Sequence, residues 1–548
     1  MEPFRSRTRS LDTGCRSAIL IDGLLICLFP KEVAASFCFR VSRMKQTTCS
    51  FALSFCSLVA SLILPVFGPT AARADVDGEV QAVLQDPLMR KATVGVEVIR
   101  LGATPAEIKE IYGHEAAVPR IPASNLKLAT TSAALDHFGP DFKFRTILFK
   151  HGEDLVLIGD GDPTFGDSEY LRKVGWQVTT VYEGWAAQLR KMNVGAVHDV
   201  IVDDSIFDQE FFHAHWPADQ LEQHYMAQVG GMNLNENLIG LVVEPTSAGA
   251  RVNFSLDPAT QYVSVMNRCL TGSRNSINIG RQIGTNTITL TGQTPARGTA
   301  RVETTIHDPP LYAAQVLAET LAAGGVKVTG QTRRDRTARQ QRIGAGAAGA
   351  TEWAIIGIHE TPITTVLGRA NKDSVNLYAE SLCKRLGADL AKSSGTWQNG
   401  TAAVADFLKR VGIPESEFQL DDGCGLSKEN RISPHALATV LVFDFTGKNH
   451  DAFFDSLSIA GVDGTLEHRF EPPAFRDLRQ RVFGKSGFVE GVSTLSGLLK
   501  AKDNNWYAFS IMMNGIPKGS NGDIKPMQER IVRAIDTDTS APAAAARQ

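Results

Sequence analysis

The segment Ile121-Pro122-Ala123-Ser124-Asn125-Leu126-Lys127 places a serine and a lysine three residues apart at the start of an alanine- and leucine-rich run. The run from Ala123 to Leu135 predicts a helix on which Ser124 and Lys127 share one face. A helix N-terminus favours an anionic oxygen, and a lysine one turn away can accept its proton, so the pair suits nucleophilic catalysis. A helix-capping serine beside a solvated lysine is the alternative for this segment taken alone.

The Ser-x-x-Lys pattern occurs at two further places, and neither has this context. Ser42/Lys45 comes before a predicted export signal. Ser381/Lys384 lies in the middle of a predicted helix, Ser374 to Leu390, where we expect the serine to be a surface residue. The sequence has no Gly-x-Ser-x-Gly elbow and no His-Glu-x-x-His metal motif. Only Ser124 is therefore a candidate nucleophile.

Two companion motifs follow Ser124 in order. Ser374-Val375-Asn376 opens the predicted helix, 250 residues after Ser124. Lys485-Ser486-Gly487 comes 111 residues later, on the first strand of a predicted antiparallel meander. The meander strands are expected at Arg481–Val489, Val492–Lys500 and Trp506–Asn514. Ser-x-x-Lys, Ser-x-Asn and Lys-Ser/Thr-Gly in this order are the three motifs of penicillin-recognising serine enzymes.

The wide first spacing requires a whole strand-rich module between the first two motifs. In this the chain resembles the low-molecular-mass penicillin-binding proteins of the D-alanyl-D-alanine carboxypeptidase/endopeptidase type. The segments Gly159–Thr164, Val202–Phe207 and Asp422–Ser427 also look like parts of that family. The resemblance implies an α+β fold: a penicillin-recognising, transpeptidase-like domain, with an antiparallel sheet flanked by helices, that carries a large strand-rich two-domain insertion. This sequence departs from the family pattern at four positions: Val375, Ser486, Cys424 and Lys428.

The resemblance also implies roles for individual residues. The catalytic set is expected to be Ser124, Lys127, Ser374, Asn376 and Lys485. The substrate-binding set is expected to be Ser486, Gly487, Phe488, Lys428, Asp203 and Asp204. We expect Lys127 to be the neutral base, because Lys485 and burial would disfavour its charged form. Asp203 and Asp204 either contact the amino end of a diamino acid on the stem peptide or are turn carboxylates.

The implied function is hydrolysis of D-Ala-D-Ala or D-alanyl cross-links in peptidoglycan stem peptides through an acyl-enzyme, with β-lactams as inhibitors. A β-lactamase, or a sensor or scaffold with a silent site, are the alternatives. No cofactor and no metal are expected, and the pair His213/His215 is interpreted as part of a surface loop. The 56 Lys plus Arg nearly balance the 59 Asp plus Glu, so general nucleic-acid binding is not expected.

The chain also divides by composition. Residues 1–43 are interpreted as a non-native extension, and residues 44–74 as a signal peptide ending in Ala72-Arg73-Ala74, cleaved near Ala74. The transpeptidase-like domain is expected over 75–145 and 351–537, around an inserted region at 146–350, with a disordered tail at 538–548. The basic stretch from Arg333 to Ala350 is predicted to be an exposed linker. The mature protein is expected in the periplasm without an integral membrane segment.

Overall fold

The computed structural model describes residues 76–346 and 352–538, and the backbone of a short antiparallel pair, Leu20–Ile21 with Leu24–Leu25. The predicted signal peptide and residues 539–548 of the predicted tail lie outside the described residues. No helix in the described part of the chain combines the length and the apolar character needed to cross a bilayer.

A six-stranded antiparallel sheet carries the third motif. Its strands in spatial order are Ser458–Ile459, Val482–Val489, Val492–Lys500, Trp506–Asn514, Thr93–Arg100 and Lys109–His114. The predicted meander is confirmed to within one residue, because alternating apolar residues and tight turns are local signals.

Helices cover both faces of this sheet, so its strands are apolar on both sides. Along Trp506–Asn514, Ala508 and Met512 pack into one core cluster, whereas Phe509, Ile511 and Met513 pack into another. The first cluster contains the helices Leu126–Phe138, Ile363–Asn371, Asn376–Ala391, Trp397–Arg410, Pro434–Thr446 and His450–Ser456. The second contains Val76–Leu84 and Asn521–Asp538.

The inserted region is built on a five-stranded mixed sheet. Its strands in spatial order are Thr332–Arg334, Val200–Asp203, Asp154–Ile158, Lys143–His151 and Trp353–Pro362. The expected boundaries at 145/146 and 350/351 fall within Lys143–His151 and just before Trp353–Pro362. Smaller sheets are formed by Asn253–Asp257, Leu238–Glu244 and Ala300–Thr305, by Ser264–Asn267, Thr287–Thr291 and Asn278–Arg281, and by shorter strand pairs. The helices are Ser168–Arg172, Thr180–Lys191, Pro309–Ala323 and Ala338–Gly344.

The predicted linker is wrong over its described part. Residues 332–334 form a strand of the five-stranded sheet and residues 338–344 form a helix. Its arginines bind buried carboxylates: Arg333 contacts Asp199 at 2.7 Å, and Arg336 contacts Asp204 at 2.9 Å. This stretch of basic and small residues resembles a linker in the sequence because the acidic residues that pair with its arginines lie more than 130 positions earlier.

The second Ser-x-x-Lys copy is also not at the surface. Ser381 and Lys384 are fully buried. Lys384 Nζ lies 2.8 Å from Asp208 Oδ1 and 3.5 Å from the centre of the Trp397 ring. Asp208 therefore balances the charge of Lys384 inside the core, and we assign Ser381 and Lys384 a structural role.

Candidate active site

Ser124 lies at the point where a tight turn becomes a helix. Residues Ala123–Asn125 form a 3₁₀ turn, and the α-helix Leu126–Phe138 follows directly. Ala123, immediately before the serine, has a left-handed backbone with φ of 46°. Ser124 itself is half-buried, so its hydroxyl remains open to a substrate.

Lys127 is fully buried and contacts three oxygens. Its Nζ lies 2.9 Å from Ser124 Oγ, 2.7 Å from Asn376 Oδ1 and 3.0 Å from the Cys424 carbonyl oxygen. A solvated lysine beside a capping serine is thereby excluded. The first motif and the asparagine of the second meet at this lysine.

Two glycines allow the backbone to approach Ser124. Gly425 has a φ of +85°, and a Cβ built there would lie 1.9 Å from the Ala123 carbonyl oxygen. A Cβ built at Gly487 would lie 2.3 Å from Thr494 Oγ1 and 3.0 Å from Ser124 N. Strand Val482–Val489 therefore runs along the start of helix Leu126–Phe138 at a separation that only glycine permits.

Ser374 and Lys485 form the other half of the site. Lys485 Nζ donates to Ser374 Oγ at 2.8 Å and to the Ser486 carbonyl oxygen at 2.8 Å. Lys485 is fully buried, whereas Ser374 is half-buried with a left-handed φ of 63°. Asn376 begins the helix Asn376–Ala391, and its Nδ2 donates to the Tyr225 carbonyl oxygen at 2.9 Å. The three motifs, far apart in sequence, thus form one constellation.

Burial lowers the pKa of both lysines. For Lys127 burial is the main cause, and the nearby Cys424, Asp422 and Glu380 oppose it. For Lys485 burial is again the main cause, the charge of Lys127 lowers its pKa further, and Asp373 opposes it. Burial is thus the main cause for both lysines, whereas the expected account gave the charge of Lys485 and burial together as the cause for Lys127.

A buried acidic group that the sequence analysis missed lies behind Lys127. Glu380 accepts hydrogen bonds from Cys424 N at 2.7 Å and from Trp397 Nε1 at 2.7 Å. Burial, with Asp422 acting in the same direction, raises its pKa to about 7. Glu380 orients the loop whose Cys424 carbonyl holds Lys127. Its position one turn along the helix from Asn376 was the available sequence signal.

The expected substrate-binding residues on the meander follow Lys485 on strand Val482–Val489. Ser486 is half-buried, Gly487 is buried, and Phe488 exposes 52% of its surface. Lys428 is exposed, and its Nζ donates to the Glu490 carbonyl oxygen in the turn after this strand, at 3.0 Å. Phe488 and Lys428 are thus accessible to a ligand.

Asp203 and Asp204 are not available to a substrate amine in this structure. Both are fully buried. Asp203 Oδ1 accepts from Ser205 N at 2.8 Å, as in an Asx turn, and its Oδ2 accepts from Arg339 N. Asp204 pairs with Arg336 and Arg334. Asp203 is thus held by backbone N–H groups and Asp204 by two arginine side chains of the same chain, which favours the alternative of structural carboxylates over contact with a diamino acid.

The pair His213/His215 lies in a loop, as expected, with His215 exposed and His213 buried. Its donor atoms and those of Asp421 lie within 4.8 Å of one another, the spacing of a possible metal site. His213, however, is buried, its Nδ1 accepts from His215 N at 3.2 Å, and its Nε2 faces the Asp421 carbonyl oxygen at 3.0 Å. Both ring nitrogens are occupied by protein partners, so we assign no metal to this cluster.

Together the fold and the site define a class: serine hydrolases that recognise penicillin through a Ser-x-x-Lys helix, a Ser-x-Asn loop and a Lys-Ser/Thr-Gly strand. The model of the D-Ala-D-Ala carboxypeptidase 3 (S13) family matches residues 76–537. The chain belongs to this family, so the resemblance predicted from the motifs is confirmed.

Individual relatives agree with this assignment. The chain is similar to a D-alanyl-D-alanine carboxypeptidase of Actinomadura sp. (strain R39), with 29% identity over 497 residues, 84% of this chain and 86% of the relative. It is also similar to the D-alanyl-D-alanine carboxypeptidase DacB of Haemophilus influenzae, with 23% identity over 74% of this chain and 82% of the relative.

The crystal structure of penicillin-binding protein 4 from H. influenzae has the same fold. It superposes with a TM-score of 0.68 at 21% identity, over 85% of this chain and 99% of the other. The predicted α+β fold is therefore confirmed.

Proposed function

We propose that the protein hydrolyses the D-Ala-D-Ala bond, or D-alanyl cross-links, of peptidoglycan stem peptides through an acyl-enzyme on Ser124. Membership of the S13 family supports serine-type D-Ala-D-Ala carboxypeptidase activity. The observation that carries the assignment of the nucleophile is the buried Lys127 Nζ, 2.9 Å from Ser124 Oγ and 2.7 Å from Asn376 Oδ1.

The first step forms the acyl-enzyme. Ser124 Oγ attacks the carbonyl carbon of the D-Ala residue while neutral Lys127 takes the hydroxyl proton. The backbone N–H groups of Ser124 and Phe488 stabilise the oxyanion, since the strand of Phe488 runs along the helix start. Breaking the peptide C–N bond then releases the terminal D-Ala.

Protonation of the leaving amine completes acylation. As the C–N bond breaks, Ser374 relays the proton from Lys127 to that amine, which leaves Lys127 neutral again, and Lys485, 2.8 Å from Ser374 Oγ, orients this hydroxyl. Lys485 and Ser486 face the terminal carboxylate of the substrate, and exposed Lys428 attracts an acidic group further along the peptide. In the second step water attacks the acyl carbon, neutral Lys127 takes the proton of that water, and the proton returns to Ser124 Oγ as the acyl bond breaks.

A fluorescent penicillin tests this function directly. We expect covalent label on Ser124 that persists for hours, together with release of free D-Ala from a stem peptide ending in D-Ala-D-Ala. Rapid loss of the label would indicate a β-lactamase, and no label would indicate a scaffold with a silent site. Mass spectrometry of the labelled peptide identifies the residue that carries the acyl group.

We also propose that the protein is exported and processed near Ala74. The support is the sequence pattern, in which Met44-Lys45 precedes an apolar stretch that ends in Ala72-Arg73-Ala74. N-terminal sequencing of the exported protein should give a start at or near Asp75. A start at Met44 or earlier would contradict the proposal.

A further inference from the structure

The two neighbours of Ser374 in sequence are both bound to one residue, Arg369. The Arg369 guanidinium donates to Asp373 Oδ2 at 2.7 Å, and its carbonyl oxygen accepts from Val375 N at 3.2 Å. Between them Ser374 is held at a φ of 63°, a left-handed conformation that is unfavourable for a non-glycine residue. Arg369 therefore secures a strained backbone on both sides of a proposed catalytic hydroxyl.

Arg369 is in turn held by the inserted region. Its side chain is 6% exposed, and its nitrogens contact Asp167 at 3.0 Å, Glu236 at 2.8 Å and Glu169 at 3.1 Å. All three carboxylates belong to residues 146–350. Arg369 and the carboxylates that it contacts, here called the Arg369 cluster, thus connect the inserted region to the loop of the second motif.

The helix that follows Ser374 also contacts the Arg369 cluster. Tyr378, one turn beyond Val375, donates its hydroxyl to Asp167, and its ring lies 5.5 Å from the Arg369 guanidinium carbon. Glu236 is the central one of three consecutive residues with positive φ, Asn235, Glu236 and Asn237. Such an unfavourable backbone persists only where its surroundings hold it.

The elements packed against the Arg369 cluster contribute further charged groups. Burial and Lys127 lower the pKa of Lys485, and the charge of Asp373 opposes them. Burial raises the pKa of Glu236 to about 8, with Asp167 acting in the same direction and Arg369 opposing. The neighbouring Lys372 is paired with Asp463 at 2.6 Å. Arg369 thus holds the carboxylate of Asp373, a charge that acts on Lys485.

We propose that Arg369 is a positioning residue for Ser374, and that the inserted region fixes the Ser374–Lys485 pair through it. The insertion thereby supports proton transfer during acylation without contacting the reacting atoms. This inference rests on the role of Ser374 in the proposed function.

The test is a double-mutant cycle in the full-length chain, with Arg369→Gln and Ser374→Ala made singly and together. The acylation rate constant and the noncovalent dissociation constant for a penicillin are measured separately from pH 5 to 10. We expect Arg369→Gln to lower the rate constant at least tenfold, to change the dissociation constant less than twofold, and to displace the pH profile. In the Ser374→Ala background, Arg369→Gln should change the rate less than twofold.

Arg469→Gln is the matched control, since Arg469 is 4% exposed and pairs with Glu529 at 2.6 Å. It should lower the thermal midpoint as Arg369→Gln does but keep the wild-type acylation rate and pH profile. Glu236→Gln leaves Arg369 in the chain and covers the case in which Arg369→Gln does not fold. Because the pKa of Glu236 is about 8, this variant should lower the rate at least threefold at pH 9 to 10, where Glu236 is charged. Equal loss of rate by Arg369→Gln with and without Ser374, or unchanged acylation in Glu236→Gln at pH 9 to 10, would overturn the inference. Wild-type acylation in Ser374→Ala alone would instead refute the proposed role of Ser374.

Discussion

Replacing Gly425 by alanine tests whether this glycine positions the nucleophile, Ser124. The new Cβ would lie 1.9 Å from the Ala123 carbonyl oxygen and 2.5 Å from the Ala123 carbonyl carbon. Relieving this contact requires a shift of about 1 Å in the residue before Ser124, and a misplacement of that size can cost roughly 100-fold in rate. The φ of +85° adds about 1–2 kcal/mol to the cost of the folded state.

Gly412→Ala is the matched control for this prediction. Gly412 has a φ of +92°, and its Cβ would meet no heavy atom within 4 Å. Both variants should therefore lose a similar amount of stability in thermal unfolding, by a few degrees. Only Gly425→Ala should lose about 100-fold in acylation by a fluorescent penicillin. Acylation by Gly425→Ala within threefold of the Gly412→Ala rate would refute the argument that this glycine positions Ser124.

Three further changes test the site and its surroundings. Ser124→Ala should abolish penicillin labelling and D-Ala release while the thermal midpoint stays within a few degrees, and any label retained on the variant would contradict the nucleophile. Lys485→Ala should slow acylation strongly. It should leave unchanged the pH at which the acylation rate reaches half its maximum, because burial is the main cause of the lowered pKa of Lys127. A rise in that pH would show that repulsion by Lys485 is the main cause instead. Asp444 is buried, and burial raises its pKa far above the ordinary value. The folded protein therefore keeps a proton on Asp444 that the unfolded chain loses above about pH 4, so the free energy of unfolding falls as the pH rises. Asp444→Asn should flatten that fall in thermal midpoint between pH 5 and 8 without changing acylation.

The local elements and the order of the motifs could be predicted from the sequence. The meander and the helix after Ser374 follow from periodicity and turn residues, which act over a few positions. The three motifs identify the chemistry because each is short and contiguous. The spacing of 250 residues between the first two motifs indicated the insertion.

Wrong predictions arose where the outcome depended on partners distant in sequence. Arg336 appeared to belong to a linker, yet it pairs with Asp204. Ser381 was expected at the surface, yet its helix is buried among other helices. No local pattern states which carboxylate will face which arginine.

The sequence by itself determined which residues could form the catalytic set, because side-chain chemistry and short-range backbone preferences are written in contiguous segments. Only the tertiary structure decided that Lys127 is buried beside Asn376, 249 positions away, and that burial is the main cause of its lowered pKa. It also decided that Arg369 connects the insertion to Ser374. Desolvation and ion pairing depend on which surfaces exclude water together, and that is settled only when the whole chain packs.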